Sequence, residues 1–162
     1  MLNNASSSRL WLVLIVFVCI FFVSPGLCAE SHAMPTKQLK KQLLEMMAKV
    51  RNGKTSTSRT EAAEHLAMLT RGINPHKVDD TILTEMVSLL DTKEDSVRAW
   101  VAASLGNLGT RAKEAVPRLL KVLPEVDCLR GSLTSASAIR LALERMGETP
   151  PPPPNCDVKE ER

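Results

Sequence analysis

Two apolar patterns alternate along this chain, each occurring three times, and that alternation leaves few folds open to it. Arg59, Ala62, Leu66 and Leu69 align with Arg98, Val101, Leu105 and Leu108 at a shift of 39. Val101, Leu105, Leu108 and Gly109 align in turn with Ile139, Leu143, Met146 and Gly147 at a shift of 38. A second pattern interleaves with the first. Ile82, Leu83, Met86, Val87, Leu89 and Leu90 match Ala115, Val116, Leu119, Leu120, Val122 and Leu123 at a shift of 33, and Leu43, Glu45, Met46, Met47 and Val50 precede Leu83, Glu85, Met86, Val87 and Leu90 by 40. Within every copy the apolar residues recur at three and four, never in strict alternation, which is the period of a helix and not of a strand. The order is therefore half a repeat, two whole repeats and half a repeat. A helical pair of this size carries an apolar stripe wider than it can cover itself, and stacking pairs buries the stripe in one continuous core. The expected fold is all-α, a short α-solenoid of about six helices.

The punctuation agrees with the periods. Helices are expected over residues 36–51, 58–71, from Asn74-Pro75 to Leu90, from Asp95-Ser96 to Leu108, around 115–123, and over 135–146. Ser58-Arg59-Thr60-Glu61 has the form of a capping box, Gly53, Gly72, Gly109 and Gly147 follow helix ends, and Pro117 falls in a first turn, where its missing N–H costs least. The helical domain is thus placed at 36–147, after a leader at 1–29 and a short linker at 30–35, and before a proline-rich tail at 148–162.

The stretch Asp95-Ser96-Val97-Arg98, then Val101-Ala102-Ala103-Ser104-Leu105-Gly106-Asn107-Leu108-Gly109, then Ala115-Val116-Pro117-Arg118-Leu119-Leu120 resembles a HEAT repeat. It is most similar to the short bacterial HEAT-like kind that includes the repeats named for phycobilisome lyases. The similarity is specific over 91–124, weaker over 58–90 and 133–147, and silent elsewhere. It implies a curved, right-handed stack of helical hairpins that binds other proteins and rarely catalyses. It further implies that Arg59 and Arg98 are structural arginines pairing with an acidic group of a neighbouring turn, Asp91 or Asp95, and that Gly106 lets two helices approach closely. The sixth helix departs from the pattern, with Ala136 where the arginine belongs and Arg140 at an otherwise apolar position, as suits a terminal cap with a polar outer face.

The N-terminus adds an address. A polar start containing Arg9 precedes fourteen unbroken apolar residues, 10–23, then Ser24-Pro25-Gly26 and small residues at Ala29 and Ala33. This reads as a secretory signal peptide cleaved after Ala29 or Ala33, and the expected location is secreted, periplasmic or in the cell envelope. An uncleaved anchor is the alternative, although fourteen residues span only about 21 Å of a hydrocarbon core about 30 Å thick. Removing residues 1–29 leaves Cys128 and Cys156 of the four cysteines. In an oxidising compartment these two form one candidate disulfide, closing a loop of about 29 residues and contributing about 3–4 kcal/mol in the chain-entropy model. Prolines 150–154 form an extended rod about 15 Å long that can run back along the sixth helix and deliver Cys156 to Cys128.

Composition narrows the activity. With no Tyr and all three Phe in the leader, Trp100 is the sole aromatic beyond residue 29, so stacking platforms for bases are absent. Beyond residue 29 there are 20 Lys and Arg against 18 Asp and Glu, a charge of +2 that makes no phosphate-tracking field, and no nucleic acid is expected as partner. No Ser/His/Asp order, metal-ligand spacing or glycine-rich phosphate loop stands in the sequence, so no catalytic residue, metal or cofactor is assigned and the chain reads as non-enzymatic. His65 aligns with Ser104 and is expected to face inward. Trp100 falls at a surface position of its repeat and is a candidate anchor for a partner protein, against the alternative that it covers a seam between repeats. Lys37, Lys40 and Lys41 head a basic stretch, 37–59, that also holds Lys49, Arg51, Lys54 and Arg59 against Glu45 alone; it is a candidate contact for an acidic protein or a membrane surface, or else a solvated helix face. The expected function is an exported protein-binding module or adaptor. The alternatives are lyase- or chaperone-like handling of a tetrapyrrole such as a bilin, and a signal-anchored assembly factor at the membrane surface.

Overall fold

The computed structural model describes residues 36–128 and 134–154. The chain divides into two units, 1–33 and 34–162; the first lies outside the described residues, and with it the expected leader, while the linker 30–35 and Cys156 are outside them too. In the second unit six α-helices follow one another: α1 (Thr36–Asn52), α2 (Ser56–Arg71), α3 (Asp80–Ser88), α4 (Asp95–Asn107), α5 (Val116–Val126) and α6 (Ser135–Arg145). Short 3₁₀ turns at Pro75–Lys77, Leu89–Asp91 and Gly109–Ala115 join or extend them. Among the described residues there is no strand.

The helices stack as their periods require. α2 packs on α4 and α4 on α6, forming one layer, while α1, α3 and α5 form the other and close each hairpin. Equivalent positions face the same core: Ala62, Val101 and Ile139 are buried, as are Leu66, Leu105 and Leu143. Nearly all the buried apolar side chains, from Leu39 of α1 to Met146, belong to one cluster, Ala67 and Ala99 standing outside it. The interior stripes of 36–154 are thus buried among the described residues of that unit.

Polar contacts repeat at the spacing of the sequence. Ser56 donates to Glu94 at 2.6 Å, the hydroxyls of Thr60 and Ser96 meet at 2.9 Å, Asn107 Nδ2 donates to the Ala67 carbonyl at 2.9 Å, and Arg145 donates to Asn107 Oδ1 at 2.9 Å. Asp95 accepts from both the amide and the hydroxyl of Ser135, at the first turn of α6. These links join residues 36 to 40 apart, so each helix of the α2–α4–α6 layer is held to its successor in the same register.

Local chemistry moves some boundaries. The capping box of α2 is formed by Thr55 and not by Ser58: the Ser58 amide donates to Thr55 Oγ1 at 3.1 Å and the Thr55 amide to Ser58 Oγ at 3.3 Å, so Ser58 is the third helical residue and the helix begins two residues earlier. α3 begins at Asp80 because Asp79 caps it, its Oδ1 accepting from the Ile82 amide at 3.0 Å, while Pro75 starts the preceding 3₁₀ turn. α6 ends in a Schellman motif, with Gly147 at φ +86°, its amide donating to the Glu144 carbonyl and that of Glu148 to the Leu143 carbonyl. Gly109, at φ +55°, takes the left-handed conformation just after α4.

Gly106 occupies the closest helix–helix approach. A Cβ there would lie 2.9 Å from Ala142 Cα and 3.1 Å from its Cβ, so α4 and α6 touch through backbone. Gly106→Ala should therefore destabilise the domain by about 1–2 kcal/mol, because overpacking at a cost of about 1–3 kcal/mol exceeds the helix-propensity gain of about 1 kcal/mol. Gly72 meets nothing within 4 Å and its φ is −102°, so Gly72→Ala should be neutral or stabilise slightly. Thermal unfolding followed by circular dichroism compares the two; equal effects would remove the close-approach role of Gly106.

Candidate interaction surface

The basic stretch at 37–59 meets its counter-charges in the fold. Lys40 pairs with Asp79 at 2.7 Å, Lys49 with Glu45 at 2.9 Å, Arg51 with Glu85 at 3.0 Å and Arg59 with Glu94 at 2.6 Å. Three of those carboxylates come from residues 79–94, far along the sequence but adjacent in the stack. Lys37, Lys41 and Lys54 are exposed and make no ion pair among the described residues, so of the three lysines singled out in the sequence Lys40 is the one engaged there. The Asp79 carboxyl is held down to about 2 by the Lys40 ammonium, the Thr81 hydroxyl and the Ile82 amide, in that order. Glu94 is lowered by Arg59 and by the Ser56 hydroxyl, and Glu45 by Lys49.

The two structural arginines behave differently from each other. Arg59 pairs with Glu94 and also donates to the Gly53 carbonyl at 2.6 Å, tying the α1–α2 turn to the start of α4. Arg98 is buried and meets no carboxylate; its guanidinium donates to the main-chain carbonyls of Leu90 and Thr92. The expected pairing with Asp91 or Asp95 is thereby corrected, for Asp91 receives Arg118 and Asp95 receives Ser135. The physical reason is that the turn after Leu89 brings its carbonyls inward, where no amide meets them and a multi-donor guanidinium can.

Arg140 does more than present a polar outer face. Its guanidinium clasps Asp127, at 2.7 and 2.8 Å, and donates to the carbonyl of Pro151, so one side chain fastens the end of α5 and the start of the proline segment to α6. Asp127 is only 7% exposed in this pair. The fork geometry of arginine suits both contacts at once.

Trp100 is half-buried on α4 and packs against the edge of the core. Its repeat equivalents are Glu61 on α2 and Ala138 on α6, so it stands in a row running across the layer. Exposed apolar side chains elsewhere in that layer are Met68 on α2, 53% exposed, and Leu141 on α6, 47% exposed.

Sequence reasoning missed one feature. An open groove of about 500 Å³ runs between α1 and α2, lined by Gln42, Glu45, Met46, His65, Met68 and Leu69. It continues past Met46 and His65 along Lys49, Ser58 and Glu61 toward Gly53. His65, expected to face inward like Ser104, is exposed here, since among the described residues no helical pair precedes α1–α2 to cover it. Gln42 Oε1 is buried beside the groove with no hydrogen-bond partner among the described residues. The signal was available in the half-repeat at the N-terminal end, which has no preceding helix of the α2 type.

The family model for the PBS lyase HEAT-like repeat matches residues 97–123, which span α4, the turn after it and most of α5. No curated protein and no solved structure matches the chain. The α4–α5 hairpin is thus similar to a HEAT-like repeat, and contacts in the same register on either side of it continue an all-α stack of helical pairs across the described residues.

Asp79 supplies a test of the charge pairing. Its lowered carboxyl contributes stability that is present above the unfolded value near 3.9 and lost as pH falls toward 2. Asp79→Asn should therefore be less stable than the wild type at pH 6, with the gap closing as pH falls from about 4 to about 2; a gap independent of pH in denaturant titrations would contradict the pairing.

Proposed function

We propose that this chain is an exported, non-enzymatic protein-binding module whose partner docks on the α2–α4–α6 layer around Trp100. The observation that carries the reading is Trp100 itself, a large aromatic left half-buried at the edge of the core on α4 of the HEAT-like hairpin. Partially exposed tryptophans ringed by other contacts are the usual energetic centres of interfaces. Several carboxylates are taken up by the architecture: Asp79 caps α3, Glu94 holds Arg59 and Asp95 holds the start of α6. Export rests on the leader-like residues 1–29 and matches a surface poor in catalytic groups and rich in helix contacts. Lys37 and Lys41 are secondary contacts for acidic groups of the partner.

The same proposal includes a disulfide between Cys128 and Cys156. Support comes from Arg140, which holds Asp127, the residue before Cys128, and Pro151 on one guanidinium. From Pro151 the chain needs five residues to reach Cys156, about 15 Å in polyproline II geometry. The pairing fastens the proline tail over the end of the stack, the position where a solenoid needs a cap.

Two measurements test these readings. Capture from native envelope and culture supernatant with wild type and Trp100→Ala in parallel should recover a protein that the variant loses, while circular dichroism confirms that the variant is folded. Equal capture by both would demote Trp100 to packing, and a visible spectral change on mixing with bilin would favour tetrapyrrole handling instead. Mass analysis without reductant should show two hydrogens fewer than the reduced, processed chain; two alkylatable thiols after denaturation would remove the disulfide.

A further inference from the structure

The two ends of the helical stack are finished differently. At the C-terminal end, Arg140 binds the proline segment to α6. At the other end, among the described residues, nothing covers the outer faces of α1 and α2. The cost of that exposure can be read from repeat equivalents. Met46 is half-exposed, whereas its equivalents Met86 and Leu119 are fully buried; Leu69 is half-exposed, whereas Leu108 and Met146 are buried; His65 is exposed, whereas Ser104 is fully buried. In each case the interior copies are covered by the preceding helical pair, and among the described residues no pair precedes the first. The groove lined by Met46, His65, Met68 and Leu69 is the seat of that missing neighbour.

We propose that the seat is filled by a second copy of this chain, making a two-fold dimer through the α1–α2 face. The choice of a second copy rests on charge. Glu61 and His65 stand one helical turn apart on the exposed side of α2, both line the groove, and neither makes an ion pair or side-chain hydrogen bond among the described residues. Reversing a second α2 against the first about a two-fold axis places each Glu61 opposite the other copy's His65, so two carboxylate–imidazole contacts form at once. The imidazole has an N–H to donate in either protonation state. A parallel arrangement would set Glu61 against Glu61 and is disfavoured. The antiparallel arrangement also opposes the two helix dipoles. Methionines at Met46 and Met68 suit such a contact, since an unbranched thioether side chain adapts its packing to a like surface.

The area fits a reversible dimer. Two helices of 17 and 16 residues present a face about 25 Å long and about 20 Å wide, about 500 Å² for each copy. The total of about 1,000 Å² lies at the low end for specific complexes, which points to micromolar affinity. Because the other end is strapped by the proline segment, association at this face closes after two copies and does not propagate into a filament.

Sedimentation velocity of the chain purified after export, from about 1 to about 500 µM, reads the assembly directly. Wild type should pass from monomer to dimer across that range. Glu61→His and His65→Glu should each weaken association at least about tenfold, by placing like groups in opposition, and combining them should restore it to within about threefold. Met68→Arg, at an exposed position that cannot unfold the core, should leave a monomer. A wild type that remains monomeric throughout overturns the proposal and assigns the groove to a helix of another protein. A dimer indifferent to both single changes and to Met68→Arg overturns it as well, by placing self-association elsewhere.

Discussion

Each helical pair in this protein buries an apolar stripe that it cannot cover alone, and the whole structure follows from how that stripe is covered by the next pair. Burying a leucine completely is worth about 1.5–3 kcal/mol, and Leu66, Leu105 and Leu143 each gain it only because a neighbour in the stack is present. The cover comes from helices 38 or 39 residues away, so stability is shared between successive pairs and does not reside in any one hairpin. Gly106 shows how tightly this is drawn. Its missing side chain brings α4 onto the backbone of α6, and the polar links from Asp95 to Ser135 and from Arg145 to Asn107 are made across the same junction.

The same dependence explains both ends. A stack that relies on neighbours must stop somewhere, and each terminal pair has a stripe with cover missing on one side. At α6 the solution is chemical. Arg140, an apparent violation of the apolar pattern, gathers Asp127 and the Pro151 carbonyl and so ties the start of the proline segment to α6. Polyproline has no internal hydrogen bonds to lose and no side-chain entropy to surrender, which makes it an inexpensive cover. At α1 and α2 no such device is seen among the described residues, and half-exposed Met46 and Leu69 mark the difference. Here a structural asymmetry becomes an opening for function.

Charge is distributed by the same logic. The basic first third of the helical domain looks like a docking patch when read along the chain, yet Lys40, Arg51 and Arg59 spend their charge on Asp79, Glu85 and Glu94 of the following repeat. These are exposed or partly exposed pairs, each of modest energetic value, and their main consequence is to hold register between α1–α2 and the elements that follow. What remains for a partner is less electrostatic and more a matter of shape: the edge of Trp100, the exposed Met68 and Leu141, and the groove.

Helix number, helix type and the half-repeat order were legible in the sequence because they depend on local periodicity and on glycine and proline, whose effects act within a few residues. The approach at Gly106 was implied by the resemblance to a HEAT repeat and not by local periodicity, and the backbone contact with Ala142 agrees with it. The cap at Thr55 was missed because Ser58 offered the same local chemistry three residues on, and only the backbone geometry separates a cap from its partner. The roles of Arg98, Arg140 and His65 were decided by tertiary structure alone. A buried guanidinium goes to whichever carbonyls a turn leaves unpaired, a guanidinium at the end of the stack goes to whatever segment returns to it, and a histidine at an inward position stays exposed where no earlier repeat among the described residues covers it. Periodicity states which face of a helix is apolar. What covers that face depends on which residues, distant along the chain, the stack brings beside it.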